Sequence, residues 1–150
     1  MHIVRNIIFL MVGLLVQQCD DSPDINRLNQ EFEIQEDQLI TIELEDEDKA
    51  YINVQMLSIQ ESRCPANASC VRYGEAIVSL AANGVEETVH TFDLCIGDCP
   101  QQNEGFKETD TVSVQLDGSN YRIILLEVNP YPTTLNMQDP RRALLKVISG

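Results

Sequence analysis

The sequence predicts an all-β domain, a single antiparallel β-sandwich of about seven strands, with a small β-barrel as the alternative. Three observations predict it. Apolar residues alternate with polar ones at period two rather than 3.6. Gly, Pro and Asn/Asp turn signals separate the alternating runs at short intervals. No stretch reads as a helix of three turns, and no segment repeats. The composition is globular: 43% of residues are hydrophobic, and enough Leu, Ile and Val remain to fill a core. With 150 residues, one folded domain is expected.

Residues 1–18 read as an address. Arg5 is followed by the apolar run Ile7 to Val16, too short to span a bilayer, which takes about 20 residues. The run ends at Gln17-Gln18-Cys19, and Asp20-Asp21 follow. An apolar run stopping at a cysteine before a polar stretch resembles a bacterial lipoprotein signal. Gln17 and Gln18 depart from the small residues usual before that cysteine. Acidic residues just after the cysteine resemble the Bacteroidetes kind of lipoprotein, in which they accompany export to the cell surface. The resemblance implies cleavage before Cys19 and lipid on it, placing the protein at the outer membrane, on its periplasmic face or at the cell surface. Two or three acyl chains hold a membrane firmly where one does not, at about 0.8 kcal/mol per buried CH₂. The chain's net charge of −14 gives no attraction to anionic headgroups, so the lipid on Cys19 is the expected membrane partner. Residues 19–30 are then the lipidated cysteine and a flexible tether, and residues 31–150 the sandwich.

Within 31–150, Ile40, Ile42 and Leu44 share one face of the first strand. Glu45 to Lys49 is a charge run, read as a solvated turn; it lacks the Gly and distal Glu of a calcium loop. Ile52, Val54 and Met56 alternate in the second strand, and Glu61 to Cys70 is a loop. Val71–Ala82 and Glu86–Cys95 form a hairpin about Asn83-Gly84. An odd loop, with Gly84 left-handed, puts Ala76, Val78, Leu80, Phe92 and Leu94 on one face. It also places His90 on that apolar face beside Val78. A loop from Ile96 to Asp110 precedes the strand Thr111–Leu116, the turn Asp117-Gly118 and a strongly apolar strand, Tyr121–Val128, expected to be central. Asn129-Pro130-Tyr131-Pro132 leaves the sheet, since two prolines cannot sit in a central ladder, and Ala143–Ile148 closes the fold.

Apart from Cys19, the chain has Cys64, Cys70, Cys95 and Cys99, an even set that in an exported chain reads as two disulfides. Four cysteines allow three pairings. The odd register turns Cys70 and Cys95 to opposite faces, which disfavours a bond between them and favours local clips. A zinc site is the rival, but only Cys95 and Cys99 have zinc-like spacing.

The strong acidity excludes gripping nucleic acid, which needs a basic face. No His-Glu-x-x-His, phosphate-binding Gly loop or Gly-x-Ser-x-Gly occurs. His90 is the one histidine after the address, and a lone His on an apolar face reads as a hydrogen-bonded core residue. No enzyme, metal or cofactor is therefore expected.

Glu61-Ser62-Arg63-Cys64-Pro65-Ala66-Asn67-Ala68-Ser69-Cys70-Val71-Arg72-Tyr73-Gly74-Glu75-Ala76 resembles a motif of small uncharacterised bacterial lipoproteins. That motif reads Asp-Ser-Arg-Cys-Pro, four residues, Cys-Val-Trp-Ala-Gly, one residue, Ala. Ser62, Arg63, Cys64, Pro65, Cys70, Val71, Gly74 and Ala76 match; Glu61 replaces Asp, and Arg72-Tyr73 replaces Trp-Ala. Many of these proteins also carry a Pro-Tyr-Pro turn before the last strand, as Pro130-Tyr131-Pro132 does. The resemblance covers about sixteen residues, implies a β protein with Cys64 paired to Cys70 and Cys95 to Cys99, and implies no activity.

The function expected is a non-enzymatic, lipid-anchored binding or accessory module with an unknown protein or glycan partner. Its candidate interaction residues are Tyr131, which has little backbone freedom to lose between two prolines, and Arg63. Each has a structural counterpart: Tyr131 covering the sheet end, Arg63 pairing with Glu61. The alternatives are a carboxylate-dependent hydrolase, needing two converging carboxylates in a cleft, and a protease inhibitor presenting the loop at 64–70 or 130–134.

Overall fold

The computed structural model describes residues 26–44, 50–86, 88–99 and 105–150. The address, Cys19 and the acidic run 45–49 lie outside the described residues. Ten strands are described, in chain order β1 (Asn26–Arg27), β2 (Glu31–Gln35), β3 (Leu39–Glu43), β4 (Tyr51–Glu61), β5 (Glu75–Asn83), β6 (His90–Asp98), β7 (Phe106–Lys107), β8 (Asp110–Leu116), β9 (Ser119–Asn129) and β10 (Arg142–Ser149). They form two sheets, ordered β1-β3-β4-β5-β6-β7 and β2-β10-β9-β8. The all-β reading holds, but the single seven-strand sandwich needs correction. One of the two sheets curls into an open half-barrel, closing through 208°.

The alternation predicted for the strands sets the core. From the first sheet Ile42, Ile52, Val54, Met56, Val78, Leu80 and Leu94 point inward, and from the second Ile34, Ile123, Leu125, Leu145 and Val147 meet them. Each such aliphatic side chain taken fully from water contributes about 1.5–3 kcal/mol. β9 lies between β10 and β8, as its apolarity predicts. In its run Ile123-Ile124-Leu125-Leu126 plain alternation buries Ile123 and Leu125; the register to β10 then slips at Leu144/Leu145, leaving Leu126 out of the pairing, so the buried series runs Tyr121, Ile123, Leu125 and then Val128.

Three features depart from the sequence reading. β2 is a full strand, with Phe32 and Ile34 buried against β10, in a stretch where the sequence predicts none. Residues 26–30, read as tether, join the fold: Asn26–Arg27 pairs parallel with β3, and the Asn29 N–H donates to the Val147 carbonyl at 2.8 Å. The β5–β6 hairpin keeps the expected faces but not the tight turn. Val78 lies opposite Leu94 and Leu80 opposite Phe92, while His90 stands across from Ala82 at the strand's start and is exposed. His90 is therefore not a core residue. Gly84 is not left-handed either. Its reason for lacking a side chain is the Asp117 carboxylate, which occupies the space a Cβ would need. Asp117 accepts from the Val85 N–H at 2.7 Å and the Glu86 N–H at 3.0 Å, tying the hairpin of one sheet to the β8–β9 turn of the other.

Because β2 supplies part of the core, Ile34→Ala is expected to cost about 2–5 kcal/mol in urea unfolding, the range for truncating a fully buried Ile. A loss below about 1 kcal/mol would mean that β2 contributes nothing to the folded core.

Candidate functional site: a clipped loop and its return loop

Residues 62–74 leave the β4–β5 ladder as an excursion closed at its base. The Ser62 N–H and Oγ both donate to the Glu75 carbonyl, at 2.8 and 2.9 Å, and the Cys64 N–H donates to the Tyr73 carbonyl at 2.6 Å. Gly74 turns the chain at φ +76°, and a Cβ there would collide with the Ser62 carbonyl oxygen. The disulfide Cys64–Cys70 closes the loop, and the second disulfide joins Cys95 to Cys99 at the end of β6. These are the pairs the motif resemblance implies. The two regions adjoin: the Asp98 N–H donates to the Gly74 carbonyl at 2.9 Å, and Arg72 lies 3.5 Å from the Asp98 carboxylate.

Beneath the loop, Arg63 is buried. Its Nε donates to Glu61 at 2.9 Å, its Nη2 to the same carboxylate and to the Val128 carbonyl at 2.8 Å, and its own N–H to Glu61 at 3.0 Å. Such a forked, charge-assisted contact fixes geometry as well as charge. The Arg63 guanidinium also lies over the Tyr131 ring, 4.6 Å from its centroid. A second buried arginine, Arg141, approaches the same carboxylate at 3.8 Å and donates through Nη2 to the Asn136 carbonyl at 3.0 Å.

The return loop between β9 and β10 begins with a cis Asn129–Pro130 bond and is laced to the clipped loop. The Ala66 N–H donates to the Pro132 carbonyl at 2.9 Å. Asn67 and Thr134 exchange two bonds, Nδ2 to Thr134 Oγ1 at 2.7 Å and Thr134 N–H to Asn67 Oδ1 at 2.9 Å. Asn136 braces the turn, donating to the Tyr131 carbonyl at 3.0 Å and accepting from the Thr133 N–H at 2.6 Å. Around this rigid pair stand exposed apolar side chains: Val71 is fully exposed, Leu135 is 92% exposed and Met137 60%.

The structure thus brings together Arg63, Tyr131, Cys64 and Cys70. Tyr131 is half-buried; its hydroxyl donates to the Cys64 carbonyl at 3.3 Å. Burial, then a hydrogen bond with Tyr73 and repulsion from its charge, push the Tyr131 phenol up to about 12; Arg63 opposes the shift and Glu61 adds to it. Both singled-out side chains therefore support the loops from below, and the exposed residues are others. Sequence reading missed Asn67, Thr134, Asn136 and Arg141. Only the Asn and Thr types hinted at turn bonding, and nothing in the sequence pointed Arg141 at Glu61.

A cavity of about 410 Å³ opens beside Tyr131, lined also by Tyr73, Phe106, Glu108 and Glu127. Tyr73 and Phe106 meet edge-to-face at 4.6 Å. Asn129 Nδ2 donates to Glu127 at 2.7 Å, holding one of the two carboxylates in the wall. The neighbouring Asp110 accepts from the Cys95 N–H and from Lys107, both at 2.9 Å, which fixes the sheet edge next to the second disulfide. Among the described residues no group of three or more His, Cys, Asp or Glu is placed to hold a metal.

The Tyr131 shift has a sign. The unfolded chain ionises at the ordinary tyrosine value near 10, the folded one at about 12, so the native state holds the proton longer. The resulting stability is complete below pH 10 and lost as pH rises through 12. Ultraviolet titration should show a late tyrosine component near pH 12, and Tyr131→Phe should delete that component and flatten the stability loss between pH 10 and 12. A late component that survives in Tyr131→Phe contradicts the assignment.

Comparison with protein-family models, with curated proteins and with solved structures returned no match.

Proposed function

We propose that the domain is a non-catalytic binding module that offers its loop pair, residues 64–71 with 133–137, to the cleft of a partner enzyme, in the manner of a protease inhibitor. One observation carries this reading. Val71, Leu135 and Met137 are exposed on loops whose shape is held by a disulfide and cross-loop hydrogen bonds rather than by their own burial. Association costs conformational freedom, and loops already fixed have little left to lose. Exposed apolar side chains gain by leaving water, and the backbones of preorganised loops move little on docking. Arg63, Glu61 and Tyr131 act as the base plate that keeps the loops in place.

Export by residues 1–18 and lipid on Cys19 would present the module at the outer membrane, facing proteases outside the cell or in the periplasm.

Two experiments test the reading. A panel of secreted serine and cysteine proteases should contain members inhibited stoichiometrically by residues 19–150. Val71→Asp and Leu135→Asp should each weaken inhibition about tenfold or more with the melting temperature unchanged, as for an exposed anchor. Removing the clip with Cys64→Ser and Cys70→Ser together should cost about 2 kcal/mol of stability, the entropy of so short a loop, and weaken inhibition as well. A domain that inhibits nothing and is itself cleaved between Cys64 and Cys70 defeats the proposal. For the anchor, Cys19→Ala should move the protein from the membrane to the soluble fraction of cells. A wild-type protein without lipid by mass spectrometry would rule the anchor out.

A further inference from the structure

Arg141 is more than nine-tenths buried, yet its donors are not all used. Nη2 donates to the Asn136 carbonyl, and Nε faces Glu61 at 3.8 Å, beyond hydrogen-bond length. Nη1 is buried and has no acceptor among the described residues. Glu61 cannot serve it fully, because that carboxylate already accepts from the Arg63 N–H, Nε and Nη2. One buried carboxylate is thus shared by two buried guanidinium groups, and a positive charge is left over. A buried charged donor without a partner is expensive, and an arginine fork is shaped for an oxyanion.

Arg141 lines a cavity of about 280 Å³ at the foot of the clipped loop. Arg63 and Arg72 line it too, with Glu61 as the single carboxylate in its wall. Three of the chain's ten basic residues therefore converge on one cavity in a molecule of net charge −14. Arg72 is exposed, and among the described residues its ion pair is with Asp98, at 3.5 Å, a surface contact that leaves it able to turn toward an incoming anion. Within the cavity wall the charge is positive; beyond it the acidic chain repels anions, which disfavours a dianion more than a monoanion.

We propose that this cavity is an oxyanion site that takes a carboxylate, with the Arg141 guanidinium, one of whose donors is unused, in its wall and Arg72 as the arm that closes over it. The inference does not rest on the loop pair's partner: a small carboxylic acid and an acidic group on a docked protein offer the same chemistry.

The test uses residues 19–150 and arginine Nε–Hε signals in nuclear magnetic resonance. Acetate should shift the Arg141 and Arg63 signals saturably, and sodium chloride at equal ionic strength should not. Arg72→Gln, an exposed change that leaves the fold intact, should weaken acetate binding several-fold, and Arg141→Met should abolish it. Equal shifts from chloride and acetate, or unchanged acetate binding in Arg72→Gln, would overturn the site. Inorganic phosphate binding more tightly than acetate would overturn the choice of a carboxylate. A blocked peptide bearing one Glu separates the sources: if it binds as acetate does, a protein's acidic side chain can fill the cavity, and if only acetate binds, the ligand is a small free acid. Should Arg141→Met fail to fold, the wild-type and Arg72→Gln titrations decide.

Discussion

The Glu61 carboxylate is the constraint on which the loop end of this molecule depends. It closes β4, orients the Arg63 fork, and faces Arg141 from the opposite loop. Through Arg63 it reaches Val128 on the second sheet and the Tyr131 ring in the return loop. Removing such a partner would leave two buried guanidinium groups facing each other without a counter-charge, far costlier than losing a surface pair.

Much of the fold was legible because period two survives in strands with one buried face. Ile40, Ile42, Ile52, Val54 and Met56 are core residues as their alternation predicts. Glu31–Gln35 alternates as well, but five residues flanked by polar chain carry a weak signal, and only pairing with β10 makes them a strand. Gly84 follows Asn83 as a turn glycine does, yet its real cause is a carboxylate thirty-three positions away, which no local pattern encodes. The parity of His90 predicts its face but not its height, because parity fixes which side a residue faces and not how long the connecting loop is.

The site was legible in part. The motif pointed at Arg63 and the two cysteines of the clip, and the prolines pointed at Tyr131. The lacing between the two loops was not, since Asn67 and Thr134 are brought together by sheet topology across 67 positions of sequence. Arg141 shows the same limit. In the pair Arg141-Arg142 after Pro140 both arginines look like surface charge until the fold buries Arg141 beside Glu61.

The parallel pairing of β1 with β3 decides which way the molecule faces. Asn26 aligns with Ile42, and Ile42 with Ile52, near the start of β4, whereas the clipped loop leaves β4 at its far end, after Glu61. About nine strand residues separate the two points, roughly 30 Å at the usual rise of a strand. The chain thus enters the domain at one pole and displays its loops at the other. Anything that grips the segment before Asn26 leaves the loop pole standing clear on the distal side, with the whole domain acting as a spacer.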